Sequence, residues 1–231
     1  MSEKEKNVAD ELGQQAQDTG GQGEERDKLD ELLADVPEWL RGPLKENYKQ
    51  ILVSLAIIVL SVSLWSGYSY YTTRQEESAS YHLGIAMSKS DIDGRIKELK
   101  DLTARFSHTS AARLAKLLLG QAYLEKGDWK AASGTFDSCV SEYEGALLDT
   151  ALMGHGYALE EEKNLDKALS DYIKAGDANR GFEAVALIDK ARVLSEKGKK
   201  KEALEAYSKY LDLKPESPFL DFIRYEILKL S

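Results

Sequence analysis

Three stretches in the second half of this chain repeat one pattern, and that repetition restricts the fold more than any other feature. A small residue is followed twelve positions later by a second small residue and, four positions after that, by an aromatic. The sets are Gly120, Ala132 and Phe136; Gly156, Ala168 and Tyr172; and Ala191, Ala203 and Tyr207. The second members follow at intervals of 36 and 35 residues (132 to 168, 168 to 203), a period that signals the stacked units of a solenoid. Two antiparallel helices approach closely only where a small side chain on each removes the bulk between them, and the aromatic fills the space beside that contact. Lys126-Gly127-Asp128, Lys163-Asn164 and Lys197-Gly198-Lys199 lie between the paired helices. Gly or Asn there can take the left-handed conformation that ends a first helix. The expected fold class is all-α.

The pattern extends at both ends in weaker form. Residues 76–109 read as a degenerate fourth unit whose second helix carries Ile96, Leu99, Leu102 and Phe106 on one face, before a break at His108-Thr109-Ser110. Pro218 to Ser231 reads as a final capping helix. A cap should turn a polar face to water, yet Phe219, Phe222, Ile223 and Ile227, with Tyr225 and Leu228, leave this one little polar cover. Either the repeats clasp it or a partner docks on it.

Residues 51–71, ILVSLAIIVLSVSLWSGYSYY, contain no charged side chain. As a helix rising ~1.5 Å per residue they reach about the thickness of a bilayer's hydrocarbon core, so a single transmembrane helix over residues 50–72 is expected, in contact with membrane lipid. Trp65, Tyr68, Tyr70 and Tyr71 crowd one end and Tyr48 the other, where amphipathic rings suit the water–lipid boundary. The run is too long for a secretory leader, and bulky tyrosines stand where a cleavage site needs small residues, so it is expected to remain as a signal-anchor. Arg41, Lys45 and Lys49 precede it and Arg74 alone follows closely, which places the N-terminus in the cytoplasm. Ser63 and Gly67 form a small-x-x-x-small pair, and Ser54 and Ser61 share a face; these suit either helix docking within the membrane or serine bonding to its own helix.

Composition then excludes several functions. Lys and Arg total 31 against 40 Asp and Glu, which leaves no concentrated cationic surface for nucleic acid. Residues 1–49 hold 7 basic and 13 acidic side chains, a net of −6; they form an acidic tail expected to be mostly disordered, with a short amphipathic helix from Asp27 up to Pro37. The one cysteine, Cys139, excludes an internal disulfide and, seven residues after Ala132, is expected as a buried structural thiol. His82, His108 and His155 lack ligand spacing, and no nucleophile elbow or phosphate-cradling loop is present. No catalytic residue, metal site or cofactor is expected.

Leu119-Gly120-x-x-Tyr123, Ala132-x-x-x-Phe136 and Ala203-x-x-x-Tyr207 with Pro215 resemble tetratricopeptide repeats over roughly residues 113–217. Lys116, Leu152 and Leu187 replace the leading tryptophan, and Leu159 stands where the middle unit should have tyrosine, so the repeats are divergent. The resemblance implies a repeat domain over residues 76–231 that binds other proteins through the first helices of its units. In this chain that face should hold Leu114, Leu117, Gln121, Met153, Tyr157, Glu160, Ile188 and Arg192. Its apolar row of Leu117, Met153 and Ile188 suits an extended or helical peptide, or packs between repeats. Arg192 and Arg113 alone are placed to clamp a ligand carboxylate, and the run Glu160-Glu161-Glu162 reads as a solvated turn.

Cytoplasmic tail, early signal-anchor and divergent repeats together are similar to the YfgM-like ancillary subunits of the bacterial Sec translocon. That resemblance implies a single-pass protein of the bacterial inner membrane with a periplasmic repeat domain. Its implied partners are translocon subunits, a periplasmic prolyl-isomerase-like chaperone and emerging polypeptides. Two other roles fit the same pattern: a scaffold for an envelope assembly machine serving cytochrome maturation or cell division, and an organelle import receptor.

Overall fold

The computed structural model describes residues 31, 34 and 36–230 except 179, 214–216 and 218. The expected disorder of residues 1–25 and most of the helix expected from Asp27 lie outside these residues, as do Pro215, Pro218 and Ser231. Among the described residues every regular element is a helix: α1 (Glu38–Ser88), α2 (Ile92–Arg105), α3 (Ser110–Lys126), α4 (Trp129–Glu142), α5 (Gly145–Glu161), α6 (Leu165–Asp177), α7 (Glu183–Glu196), α8 (Lys200–Asp212) and α9 (Leu220–Leu230). The chain divides into two compact units at Ser69 and Tyr70.

In the first unit, α1 begins just after Pro37 and carries residues 38–49, expected in the tail, as helix. Residues 51–71 are exposed on every side. Ser61 donates to the Ile57 carbonyl at 2.7 Å, the local bond that was the alternative to helix docking.

The second unit begins on α1, whose residues 70–88 supply the first helix of the degenerate fourth repeat; that helix is therefore not a separate element. Ala79 and Ala86 are fully buried in one core with Ile96, Leu99, Leu102 and Phe106 of α2 and its cap. Glu76 accepts from the Ser110 and Ala111 amides at 2.9 and 3.1 Å, placing a carboxylate at the orphan donors of α3. Thr109 completes that cap by accepting from Ala112 at 3.1 Å.

The hairpins α3/α4, α5/α6 and α7/α8 match the three repeats. Ala132, Ala168, Ala191 and Ala203 have no exposed surface, and Phe136, Tyr172 and Tyr207 are buried beside them. The small positions are small because the aromatics occupy them: a Cβ on Gly120 would lie 2.6 Å from the Phe136 ring, and one on Gly156 would lie 2.7 Å from Tyr172. Gly154 adds a requirement invisible in the repeat pattern, since its Cβ would stand 2.5 Å from the same Phe136 ring. Phe136 is thus held between the first helices of successive units.

Each first helix ends in one turn geometry. Asp128, Asn164 and Lys199 donate to Tyr123, Leu159 and Leu194 at 2.9, 2.7 and 2.9 Å, the long-range bond of a Schellman ending. Gly127 and Gly198 take the left-handed position as expected, at φ 79° and 72°. In the middle turn Lys163 takes it at φ 64°, whereas Asn164 precedes α6 at φ −88°. This corrects the expectation of Asn there: the closing bond fixes which residue must be left-handed, and it falls on a lysine.

Candidate functional site

The face expected on the first helices separates into surface and interior. Leu114 and Gln121 on α3 and Tyr157 on α5 are exposed, and Tyr157 meets Trp129 edge to face at 6.4 Å. Leu117 is buried in the N-terminal core, Met153 packs against the Leu159, Ala168, Tyr172 and Val193 cluster, and Ile188 packs into the C-terminal core. Of the two readings open for this apolar row, interior packing describes Leu117 best, because one helix face must seal the joint between repeats before the next can meet a ligand. Val185, half exposed on α7, was missed. Its register was available: it stands six residues before Ala191, as Leu114 does before Gly120.

Arg192 does not present a free guanidinium. Its Nε and Nη2 donate to both oxygens of Glu160 at 2.7 and 2.8 Å, and Nη1 lies 2.8 Å from Asp189. A fork-to-fork pair of this kind is strong and directional, and here it joins α7 to α5. Buried Tyr172 donates to Glu160 at 3.0 Å; burial first, then the neighbouring carboxylates, push its hydroxyl pKa far up, so it remains a donor. Burial likewise raises the Asp189 carboxyl, opposed by Arg192. Two expectations are thereby corrected. Arg192 is committed to structure rather than poised for a ligand carboxylate. Glu160 is buried and paired, whereas Glu161 and Glu162 are exposed as a solvated helix end would have them, with Glu162 also accepting from Ser133 at 2.5 Å. Arg113 is exposed, and its carbonyl accepts from Tyr143 at 3.0 Å.

Several other ionisable groups also join helices. Asp149, with no exposed surface, accepts from Nε and Nη2 of Arg180 across the joint between α5 and the α6–α7 connection. His155 Nδ1 faces Asp171 Oδ2 at 2.8 Å, and His82 Nδ1 lies 2.9 Å from Glu98. Burial pushes the Cys139 thiol up to about 11, which keeps it protonated and unreactive near neutrality. Lys116, at the vacant tryptophan position, reaches both oxygens of Glu142 at 2.8 Å. Among the described residues no group of three or more His, Cys, Asp or Glu is arranged to hold a metal ion.

Of the two alternatives for the capping helix, the structure shows the repeats clasping one face of it. Ile223 and Leu230 are buried and Ile227 packs with them against the Tyr207 and Tyr210 core, while Phe219 and Phe222 remain exposed on the other side.

What emerges is a helical scaffold with an aromatic and aliphatic strip along its first helices. Comparison with solved structures supports that architecture. A tetratricopeptide repeat protein from Parabacteroides merdae ATCC 43184 superposes with a TM-score of 0.58 at 17% identity, over 68% of this chain and 60% of that one. The chain therefore spans less than two thirds of that structure. Comparison with curated proteins finds no match. The tetratricopeptide repeat-like domain family matches residues 43–229, from before the apolar run to the last helix. Repeats of this kind are protein-interaction scaffolds, and this chain belongs to the tetratricopeptide repeat-like family.

Proposed function

We propose that this chain is a single-pass membrane protein that uses its apolar run to hold a protein-binding repeat domain beside a membrane machine. One observation carries the reading: α1 is the one described helix long and apolar enough to cross a bilayer, and none of its apolar window is buried by the protein. In a water-soluble chain such a surface would demand a core to enter; in lipid it is already at home. The family match begins ahead of the run at residue 43, which makes the run part of the shared region. Arg41, Lys45 and Lys49 before it against Arg74 after it favour a cytoplasmic N-terminus and a periplasmic repeat domain in a bacterial inner membrane.

The strip of Leu114, Gln121, Tyr157 and Val185 is the proposed contact for extended or helical segments of other proteins. Of the two arginines placed for a clamp, Arg192 is neutralised in place and Arg113 alone keeps an exposed guanidinium, so recognition rests on apolar and aromatic contact rather than on a two-residue clamp for a terminal carboxylate. Such contacts are weak singly. Tethering raises their effective concentration near a fixed exit site, which suits an ancillary subunit of the Sec translocon or of a periplasmic chaperone network meeting emerging polypeptides.

Two measurements test this. Carbonate-washed membranes should retain the full-length chain, and protease added to intact inverted vesicles should spare the repeat domain; release by carbonate sinks the anchor. A photo-crosslinker at Tyr157 should capture channel subunits and nascent chains. Capture of one folded envelope protein instead would move the chain to an assembly scaffold.

A further inference from the structure

A helix on the surface of a repeat stack normally turns a polar face to water, and α9 does not. Its inner face, Ile223, Ile227 and Leu230, is packed into the C-terminal core. Its outer face carries Phe222, Tyr225 and Leu228, which are 50%, 62% and 77% exposed. These residues recur every three positions and so lie along one stripe. A contiguous apolar stripe of this kind marks an interface.

Three charged residues flank that stripe, among them Arg224 with its side chain 66% exposed. Asp221 stands one turn before Tyr225 with its side chain 96% exposed, and Lys229 one turn after with 61% exposed. Within the chain Asp221 meets Arg224 at 3.5 Å and Lys229 meets Glu226 at 3.6 Å, exposed contacts between residues one turn apart that contribute little. The layout is symmetric in position and opposite in charge about Tyr225. Asp221 and Lys229 lie four residues to either side, and Phe222 and Leu228 three. A second α9 running antiparallel, with a two-fold axis at Tyr225, therefore sets Asp221 against the other copy's Lys229 twice, Phe222 against Leu228 twice, and Tyr225 against itself. A parallel copy would oppose like charges. An anionic bilayer would favour basic residues around the stripe; Arg224 and Lys229 supply two against the one acid Asp221, so lipid is the rival occupant that a nitroxide at position 225 tests.

We infer that a second copy of this chain docks on the outer face of α9 in an isologous, antiparallel helix pair. The test uses the full-length chain in mild detergent, with circular dichroism melting to confirm that each surface variant stays folded. Tyr225→Cys sits on the axis, so mild oxidation should yield a covalent dimer; buried Cys139 does not compete. In that background Asp221→Lys or Lys229→Asp each creates two like-charge contacts and should lower the cross-linked fraction on the order of tenfold. The double variant Asp221→Lys/Lys229→Asp should restore it. Absence of a Tyr225→Cys dimer overturns the proposal, as does a double swap no better than the singles. A nitroxide at position 225 that reports immersion in lipid without coupling to a second copy would assign the face to the bilayer and overturn it too.

Discussion

Gly154→Ala puts the packing of Phe136 to a sharp test, because two effects predict opposite signs. In an open helix the change stabilises by ~0.5–1 kcal/mol through lost unfolded-state freedom. At this site the new methyl lies 2.5 Å from the Phe136 ring, with further ring atoms at 2.7 and 2.9 Å. Retreat is blocked, since the ring is 3% exposed and a Cβ at Gly120 on the opposite side would already be 2.6 Å away. Overpacking of a closed core costs ~1–3 kcal/mol, which exceeds the propensity gain, so net destabilisation of about 1–2 kcal/mol is expected. For a domain of this size that lowers Tm by ~2–8 °C. Gly134 on α4 supplies the control: nothing lies within 4 Å of its Cβ position, and Gly134→Ala should raise Tm. Melting of both variants by far-ultraviolet circular dichroism, with Phe136→Leu added to Gly154→Ala as a partial rescue, completes the comparison. A Gly154→Ala protein as stable as Gly134→Ala would refute the wedge.

Further outcomes follow from the turns and the buried charges. Lys163→Gly relieves a left-handed lysine and gives up an exposed contact with Glu196, so Tm should rise by about 2–4 °C; an unchanged or lower value would show that the turn is unstrained. Arg192→Met strands the Glu160 carboxylate, which is 6% exposed. Urea unfolding should register a loss of ~2–3 kcal/mol, below the full figure for a buried pair because Arg192 is partly solvated. Adding Glu160→Gln should recover much of it; an equal loss in the double variant would contradict the pairing. With its pKa at about 11, Cys139 should resist iodoacetamide at pH 8 in the folded protein and react at the rate of a free thiol in denaturant. Rapid native labelling would mean that the α4 joint opens.

The repeat register was legible because it rests on local chemistry restated at a fixed interval. Gly120, Ala132 and Phe136 need one another whatever surrounds them, and three restatements outweigh the missing tryptophans. The charge-free run was legible as one long apolar helix for a similar reason, since length and composition are local properties. Of the exposed strip, Leu114, Gln121 and Tyr157 followed from register, and Val185 was available by the same count.

Other features depended on residues some thirty positions apart and so had no local mark. Arg192 read as a free cation until α7 was laid beside α5, where Glu160 meets it. Asp149 and Arg180, thirty-one positions apart, gave no pattern at all. Gly154 has no mark in the repeat pattern because the ring that requires it belongs to the preceding unit. Lys163 carries the left-handed turn because the Asn164 to Leu159 bond places it there, against its own preference. The amino-acid sequence by itself settled that helical pairs stack and at what interval; the tertiary structure decided where the first pair begins, which charges cancel, which glycines are obligatory and which face of α9 remains bare, since those depend on distances between helices that no single segment contains.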